Sequence, residues 1–265
     1  MPKIYVVGLG PGGLEEMTPR AVDALMKCSY IIGYTAYIDL IMDAFPGKRF
    51  ITTGMKREVE RCALALKKAE EGFITGLVSG GDSGIYGMAG LMLEVVSREK
   101  SGVSVEIIPG ITAASAAAAV LGAPLMHDFA VISLSDCLTP WDAILKRIRS
   151  AASSDFVVCF YNPRSRSRTM HIAAAREELL KHRANSTPVG IVRNAGREGE
   201  AFVITDLERM LDFDMDMFST VVVGNSRTIV LNGRMVTPRG YEICGGEWAD
   251  EDSGDRRDHR CAADH

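Results

Sequence analysis

Ile4-Tyr5-Val6-Val7-Gly8-Leu9-Gly10-Pro11-Gly12-Gly13 is the stretch that decides the fold class. Four consecutive β-branched or aromatic residues, with no polar residue alternating between them, suit a strand buried on both faces; such strands belong to parallel sheets covered by helices. The glycines that follow end the strand in a tight turn. Thr18-Pro19 then opens a helix, with Thr18 as cap and Pro19 at the first helical position. Ala21, Val22, Leu25 and Met26 form its expected buried stripe.

The same alternation continues outward. Strands are predicted at Tyr30–Ile32, Arg49–Thr52, Phe73–Val78 and Val103–Ile107. Helices are predicted at Glu58–Glu70 (Val59, Cys62, Ala63 and Leu66 on one face), Tyr86–Val96 and Ala113–Leu121. Gly122-Ala123-Pro124 breaks the pattern. Beyond it, strands fall at Ala130–Leu134, Phe156–Phe160, Pro188–Val192, Ala201–Ile204 and Ser219–Val223, and helices at Trp141–Ala151 and Ser167–Lys181. The last strands follow closely with no helix between them. The chain therefore reads as α/β with two α/β domains: residues 1–122 with a mostly parallel sheet, residues 123–243 with a mixed one, and a tail, 244–265.

Parallel sheets place ligands at the loops beyond the carboxyl ends of their strands. Three glycine-rich turns lie at such ends: Gly8 to Gly13, Gly80-Gly81-Asp82, and Pro109-Gly110-Ile111-Thr112-Ala113. The first matches G-x-G-x-x-G, but two features oppose a dinucleotide site. The helix begins at Thr18 and not inside the motif, so no helix N-terminus meets a pyrophosphate. Ile32-Gly33-Tyr34 stands where a ribose-binding acid is needed. A tight turn alone also explains Gly8 to Gly13. Gly80-Gly81-Asp82 joins close backbone approach to one fixed carboxylate, suiting a small polar ligand with hydroxyls or an amine. Neither later turn has the Lys-Ser/Thr of a P-loop, which speaks against a triphosphate.

Composition adds exclusions. At 265 residues, 47% hydrophobic and 24% charged, the chain has a globular composition. No run reaches the roughly 18–20 apolar residues of a membrane helix. The first residues lack the layout of a signal peptide, so the expected location is the cytoplasm. The chain holds 30 Lys and Arg against 34 Asp and Glu, and removing the tail leaves 27 of each. The acidic, unperiodic tail is predicted to be disordered. Its Cys244, His259, Cys261 and His265 form no CxxC pair, and no metal site is predicted. Cys28, Cys62, Cys137 and Cys159 lie in apolar stretches, as reduced core cysteines do. A neutral body whose arginines lack interleaved aromatics speaks against nucleic acid.

In order and spacing, the three turns resemble the tetrapyrrole methylases, S-adenosylmethionine-dependent enzymes of corrin and sirohaem synthesis. Further stretches carry the resemblance towards the branch that methylates C17 of a precorrin and contracts the macrocycle: Gly33-Tyr34-Thr35-Ala36-Tyr37, Gly84-Ile85-Tyr86-Gly87-Met88-Ala89-Gly90, His127-Asp128-Phe129-Ala130, Ser133-Leu134-Ser135-Asp136 and Tyr161-Asn162-Pro163. The resemblance covers residues 3 to about 243. It implies two domains with the cofactor in the cleft between them, and a homodimer. It implies cofactor contacts from Gly80, Gly81, Asp82, Ile85, Thr112, Ala113, Asn162 and Ala195, and a substrate side at Gly10, Pro11 and Tyr34. Members acting on uroporphyrinogen carry an aspartate where this chain has Tyr34, so that acid's role does not transfer. His127, Asp128 and Asp136 are instead the candidate acid–base groups, lying beside the domain boundary; a structural role is equally open to them.

Methyl transfer from a sulfonium needs alignment and exclusion of water more than proton transfer. Ring contraction moves protons and calls for a positioned acid or base. Precorrins carry many carboxylates, so cations should gather at the cleft; Arg164, Arg166, Arg168, Arg193 and Arg197 are spaced to do so. The other readings are a methylase for another carbon of a precorrin (cobalt-bound or metal-free), diphthine synthase, which shares the fold, and a non-catalytic tetrapyrrole carrier.

Overall fold

The run Ile4 to Val7 lies inside a sheet covered on both faces. The computed structural model describes residues 2–165 and 168–241. In its first half, β1 (Lys3–Gly8), β2 (Tyr30–Tyr34), β3 (Arg49–Thr53), β4 (Ile74–Ser79) and β5 (Ser104–Ile108) are all parallel, in the order β3-β2-β4-β1-β5. Period-two alternation sends Tyr5 and Val7 to one face, against α1 (Pro19–Lys27) and α2 (Thr35–Ile38). Ile4 and Val6 go to the other, against α3 (Glu58–Glu70) and α4 (Ala89–Arg98).

Thr18 caps α1 as expected, its Oγ1 accepting from Ala21 N–H at 3.1 Å. Two predicted stripes shift. In α1 and its cap the buried line is Ala21, Ala24, Leu25 and Cys28, and Met26 is exposed. In α3 it is Cys62, Ala65, Leu66 and Ala69, leaving Val59 and Ala63 in solvent. Both follow the i, i+3, i+4, i+7 rule more closely than the expected stripes. Helix α4 starts three residues later than predicted, because Met88 N–H is held by Ser79 Oγ at 3.1 Å and Tyr86 is used elsewhere.

Helix α5 (Ala113–Leu121) and the short β6 (Gly122–Ala123) lead into the second half. It holds β7 (Phe129–Ser133), β8 (Val157–Tyr161), β9 (Pro188–Arg193), β10 (Ala201–Asp206) and β11 (Ser219–Val223), ordered β10-β9-β11-β8-β7. Only β7 and β8 are parallel, so the sheet is mixed. Helices α6 (Trp141–Ser153) and α7 (His171–Leu180) cover one face, tied together by Glu178, which accepts from Arg149 at 3.1 Å and Lys181 at 2.6 Å.

The other face is covered by α5, whose Ala114, Ala117 and Leu121 pack on Val157, Cys159, Val192 and Val222. By packing, α5 thus sits with the second sheet, on the near side of the expected boundary at residue 122. Gly190 in β9 makes room for it, since a Cβ there would stand 2.3 Å from Leu121 Cδ1. A small third sheet, unpredicted, pairs β6 with the hairpin of β12 (Ile229–Leu231) and β13 (Arg234–Val236). Its turn, Asn232-Gly233, has φ of 48° and 75°, the geometry of a type I′ hairpin.

Among the described residues no helix is long and apolar enough to cross a membrane. Cys28, Cys62 and Cys159 are buried, and burial pushes each thiol up to about 12. Cys137 is exposed, against expectation. The tail, with Cys244, His259, Cys261 and His265, and the predicted helix start at Ser167 lie outside the described residues.

Candidate functional site between the two sheets

The carboxyl edges of the two sheets face each other, and the three glycine turns meet there. Beyond β1 and β4 the chain continues as a backbone bridge: Gly10 N–H donates to Gly81 O at 3.0 Å and Gly81 N–H to Gly10 O at 2.8 Å. The third turn lies against both. A Cβ on Gly8 would stand 2.7 Å from Gly110 N and from Gly81 O, and one on Gly110 would stand 2.4 Å from Gly81 O. Any side chain at either position would separate the turns. Asp82 fastens the second turn to the third, Oδ1 accepting from Gly84 N–H (2.7 Å) and Ile85 N–H (3.0 Å), Oδ2 from Gly110 N–H (3.0 Å).

The second domain closes on these turns at three seams. At the end of β8, Tyr161 Oη lies 2.5 Å from Thr112 Oγ1 and accepts from Ala114 N–H at 2.7 Å. Thr112 does not cap α5 with its own side chain; Tyr161 supplies the missing acceptor from β8. Burial raises the Tyr161 phenol, partly offset by these two bonds.

At the second seam Tyr86, a non-glycine residue at φ 53°, sends its hydroxyl to the backbone of the edge strand β7. It donates to Val131 O at 3.3 Å and accepts from Ser133 N–H at 3.2 Å. Its ring lies 5.9 Å from that of Tyr161. Beside it Asn162, also left-handed at φ 53°, donates from Nδ2 to Ser133 Oγ at 3.0 Å. At the third seam, Arg197 donates to Pro11 O and lies 5.8 Å over the Tyr37 ring, while Gly12 and Gly196 are in backbone contact.

Gly80, Gly81, Asp82, Thr112, Ala113 and Asn162 thus gather at one crevice. Ile85 is exposed at its lip, and Ala195 sits in the loop that meets Pro11. Gly10 is engaged with Gly81, and Tyr34 lies edge-on to Tyr37 at 5.4 Å.

The arginines divide. Arg164 is exposed beside Asn162, and Arg168 donates to Cys137 Sγ at 3.4 Å. Arg193 donates to Asp216 at 2.8 Å. Its side chain stays half exposed beside that ion pair. Arg166 lies outside the described residues.

The acid–base trio is not brought together. His127 and Asp128 stand at the amino end of β7, where Asp128 O accepts from Val157 N–H at the start of β8. Ser133 and Asn162 are at the opposite edge, a five-residue strand away, about 13 Å at 3.3 Å per residue. Only Asp136 is at the crevice edge, and its partner is His171, with Nε2 and Oδ2 3.1 Å apart. That hydrogen bond is the main reason its carboxyl lies below the usual range.

Tyr161, Tyr86 and His171 were not anticipated as site residues, although the first two stand inside stretches already singled out. Nor was Arg61 in α3, which is 4% exposed and donates to Thr53 Oγ1 at 2.7 Å and Gly54 O at 3.0 Å. No carboxylate pairs with it among the described residues, so its charge adds positive potential beneath Tyr37.

Comparison with known proteins follows the same outline. The family model described as Tetrapyrrole (Corrin/Porphyrin) Methylases matches residues 3–211. A probable cobalt-factor III C(17)-methyltransferase of Salmonella typhimurium is 52% identical over 242 residues, 91% of this chain and 100% of that one. The cobalt-factor III methyltransferase of Priestia megaterium is 48% identical over 244 residues, 91% of this chain and 45% of that longer one. Among solved structures, the methyltransferase CobJ superposes with a TM-score of 0.84 at 36% identity, covering 90% of this chain and 100% of that one.

Proposed function

This chain belongs to the tetrapyrrole (corrin/porphyrin) methylases, and from that premise we propose that it methylates C17 of cobalt-factor III with ring contraction, in cobalamin biosynthesis. The observation that carries the reading is 52% identity along the whole length of a relative named as a probable cobalt-factor III C(17)-methyltransferase. S-adenosylmethionine is the methyl donor that the family implies.

The crevice fits such a donor. Gly8 and Gly110 are shut against their neighbours, but a Cβ on Gly81 would meet Ala113 N at 3.6 Å and Thr112 Cα at 3.8 Å, ordinary contact distances. Beside Gly81 the second and third turns therefore approach without clashing, and Asp82 fastens them together. When bound, the donor supplies an electrophilic methyl group on sulfur. Gly80, Gly81, Asp82, Ile85, Thr112 and Ala113 hold it from one side, Asn162 and Ala195 from the other.

The chain's own contribution to methyl transfer is alignment and dryness. Positive charge is dispersed as the methyl group moves, so a wall of backbone and hydroxyls serves better than fixed charges. Tyr161 and Tyr86 hold the two walls in register. Gly10, Pro11 and Tyr34 face the macrocycle, and its carboxylates meet Arg164, Arg168 and Arg197. The reading carries with it a cytoplasmic enzyme working as a homodimer, which analytical ultracentrifugation checks.

The test is anaerobic incubation with methyl-labelled S-adenosylmethionine and either cobalt-factor III or metal-free precorrin-3B. One label per macrocycle, found in the cobalt form with S-adenosylhomocysteine released, is expected. Label in a protein acceptor alone, or none in either macrocycle, refutes the reading.

A further inference from the structure

The Asp136–His171 pair stands where the expected trio does not. Asp136 lies in the loop between β7 and α6, and His171 is the first residue of α7. Their 3.1 Å contact uses His171 Nε2. Trp141, the first residue of α6, holds the same imidazole edge-on, with ring centroids 4.3 Å apart. The ring is thus fixed on two sides, yet its side chain keeps 20% of its exposure and that of Asp136 37%. Among the described residues no hydrogen bond engages Nδ1.

The other charged or titratable groups facing the pair are Arg168, from the loop after β8, and Cys137, to which Arg168 donates. The place is also right. Asp136 follows Ser133 by three residues, and Ser133 meets both Asn162 and Tyr86. Asp136 follows the carboxyl end of β7 and His171 that of β8, so the imidazole stands on the edge of the second sheet that carries Ser133 and Asn162.

We propose that His171, oriented by Asp136, is the catalytic acid–base group that moves a proton during ring contraction. The inference rests on the ring-contracting reading above. Imidazole changes charge near neutral pH and has two distinct nitrogens; Asp136 accepts from Nε2–H and leaves Nδ1 as the working atom. As bonding electrons shift within the macrocycle, one of its X–H bonds breaks and the proton passes to Nδ1. It is then returned to another atom of the macrocycle, where a new X–H bond forms. No electron leaves the substrate and no co-reactant is consumed.

The experiment compares full-length wild type, His171→Gln and Asp136→Asn, with His182→Gln as a control beyond the other end of α7. His171→Gln should lower kcat at least about 100-fold, with S-adenosylhomocysteine affinity and Tm unchanged. The acid limb of the wild-type kcat–pH profile should vanish. Asp136→Asn should lose about tenfold and displace that limb, while His182→Gln stays within about twofold. Active wild type together with His171→Gln within about threefold of it overturns this inference alone; wild type that methylates no macrocycle overturns the reading beneath it. If His171→Gln lowers Tm, the isosteric Asp136→Asn decides, and an unchanged kcat and pH profile there overturns the proposal.

Discussion

Tyr161→Phe tests how the two domains are held together. The substitution removes one oxygen and nothing else. That oxygen lies 2.5 Å from Thr112 Oγ1 and 2.7 Å from Ala114 N. Each hydrogen bond contributes about 1 kcal/mol net. The Ala114 N–H belongs to the first turn of α5, where no intrahelical partner exists. The two bonds together set an expected destabilisation of about 2 kcal/mol. For a chain of this length that lowers Tm by roughly 4–8 °C. Thr112 loses its fixed rotamer in the same stroke, and S-adenosylhomocysteine binding should weaken by about tenfold, or about 1.4 kcal/mol. Differential scanning calorimetry and isothermal titration read the two effects separately. A Tyr161→Phe protein with the Tm and Kd of wild type would show that the register of the domains is set elsewhere.

Three further substitutions probe other parts of the structure. Asp82→Asn puts an amide where three backbone N–H groups now meet one carboxylate, so one donor must face another; titration should give a roughly 10- to 100-fold weaker S-adenosylhomocysteine Kd, of the order expected for charge-assisted bonds. Gly190→Ala forces a methyl to 2.3 Å from Leu121 Cδ1 and should cost about 1–3 kcal/mol in urea unfolding, with part recovered when Leu121→Ala is added. Glu178 is held at about 2, first by its hydrogen bond to Arg149 and then by that to Lys181. Its folded pKa is depressed, so its contribution is complete above about pH 4.5 and is lost as pH falls towards about 2. Glu178→Gln should therefore flatten the acid side of a Tm–pH curve in that window; an unchanged slope would refute the assignment.

The central strands were legible because burial on both faces writes itself as unbroken apolar runs, and the cap of α1 because Thr18-Pro19 names its own position. The Asn232-Gly233 hairpin carries an equally plain local signal, a two-residue turn between apolar segments. What lay beyond the sequence was contact across the domains. Tyr161 meets Thr112 from 49 positions away and Tyr86 meets Val131 from 45, and no local pattern encodes such pairings. The separation of His127 and Asp128 from Asp136 has a related reason. Residues eight or nine apart look like neighbours on paper, but an extended strand carries them to opposite edges of a sheet. Alanine-rich α5 shows the same gap, since its small side chains mark a close packing surface without naming which sheet it faces.

That helix also determines where the molecule can be divided. Cutting after Leu121, at the break in the pattern, would strip the second sheet of the cover over Val157, Cys159, Val192 and Val222 and leave an orphan apolar rod on the first half. Chimaeras between relatives should therefore join at Pro109-Gly110, ahead of α5, so that each parent donates a layer together with its own roof.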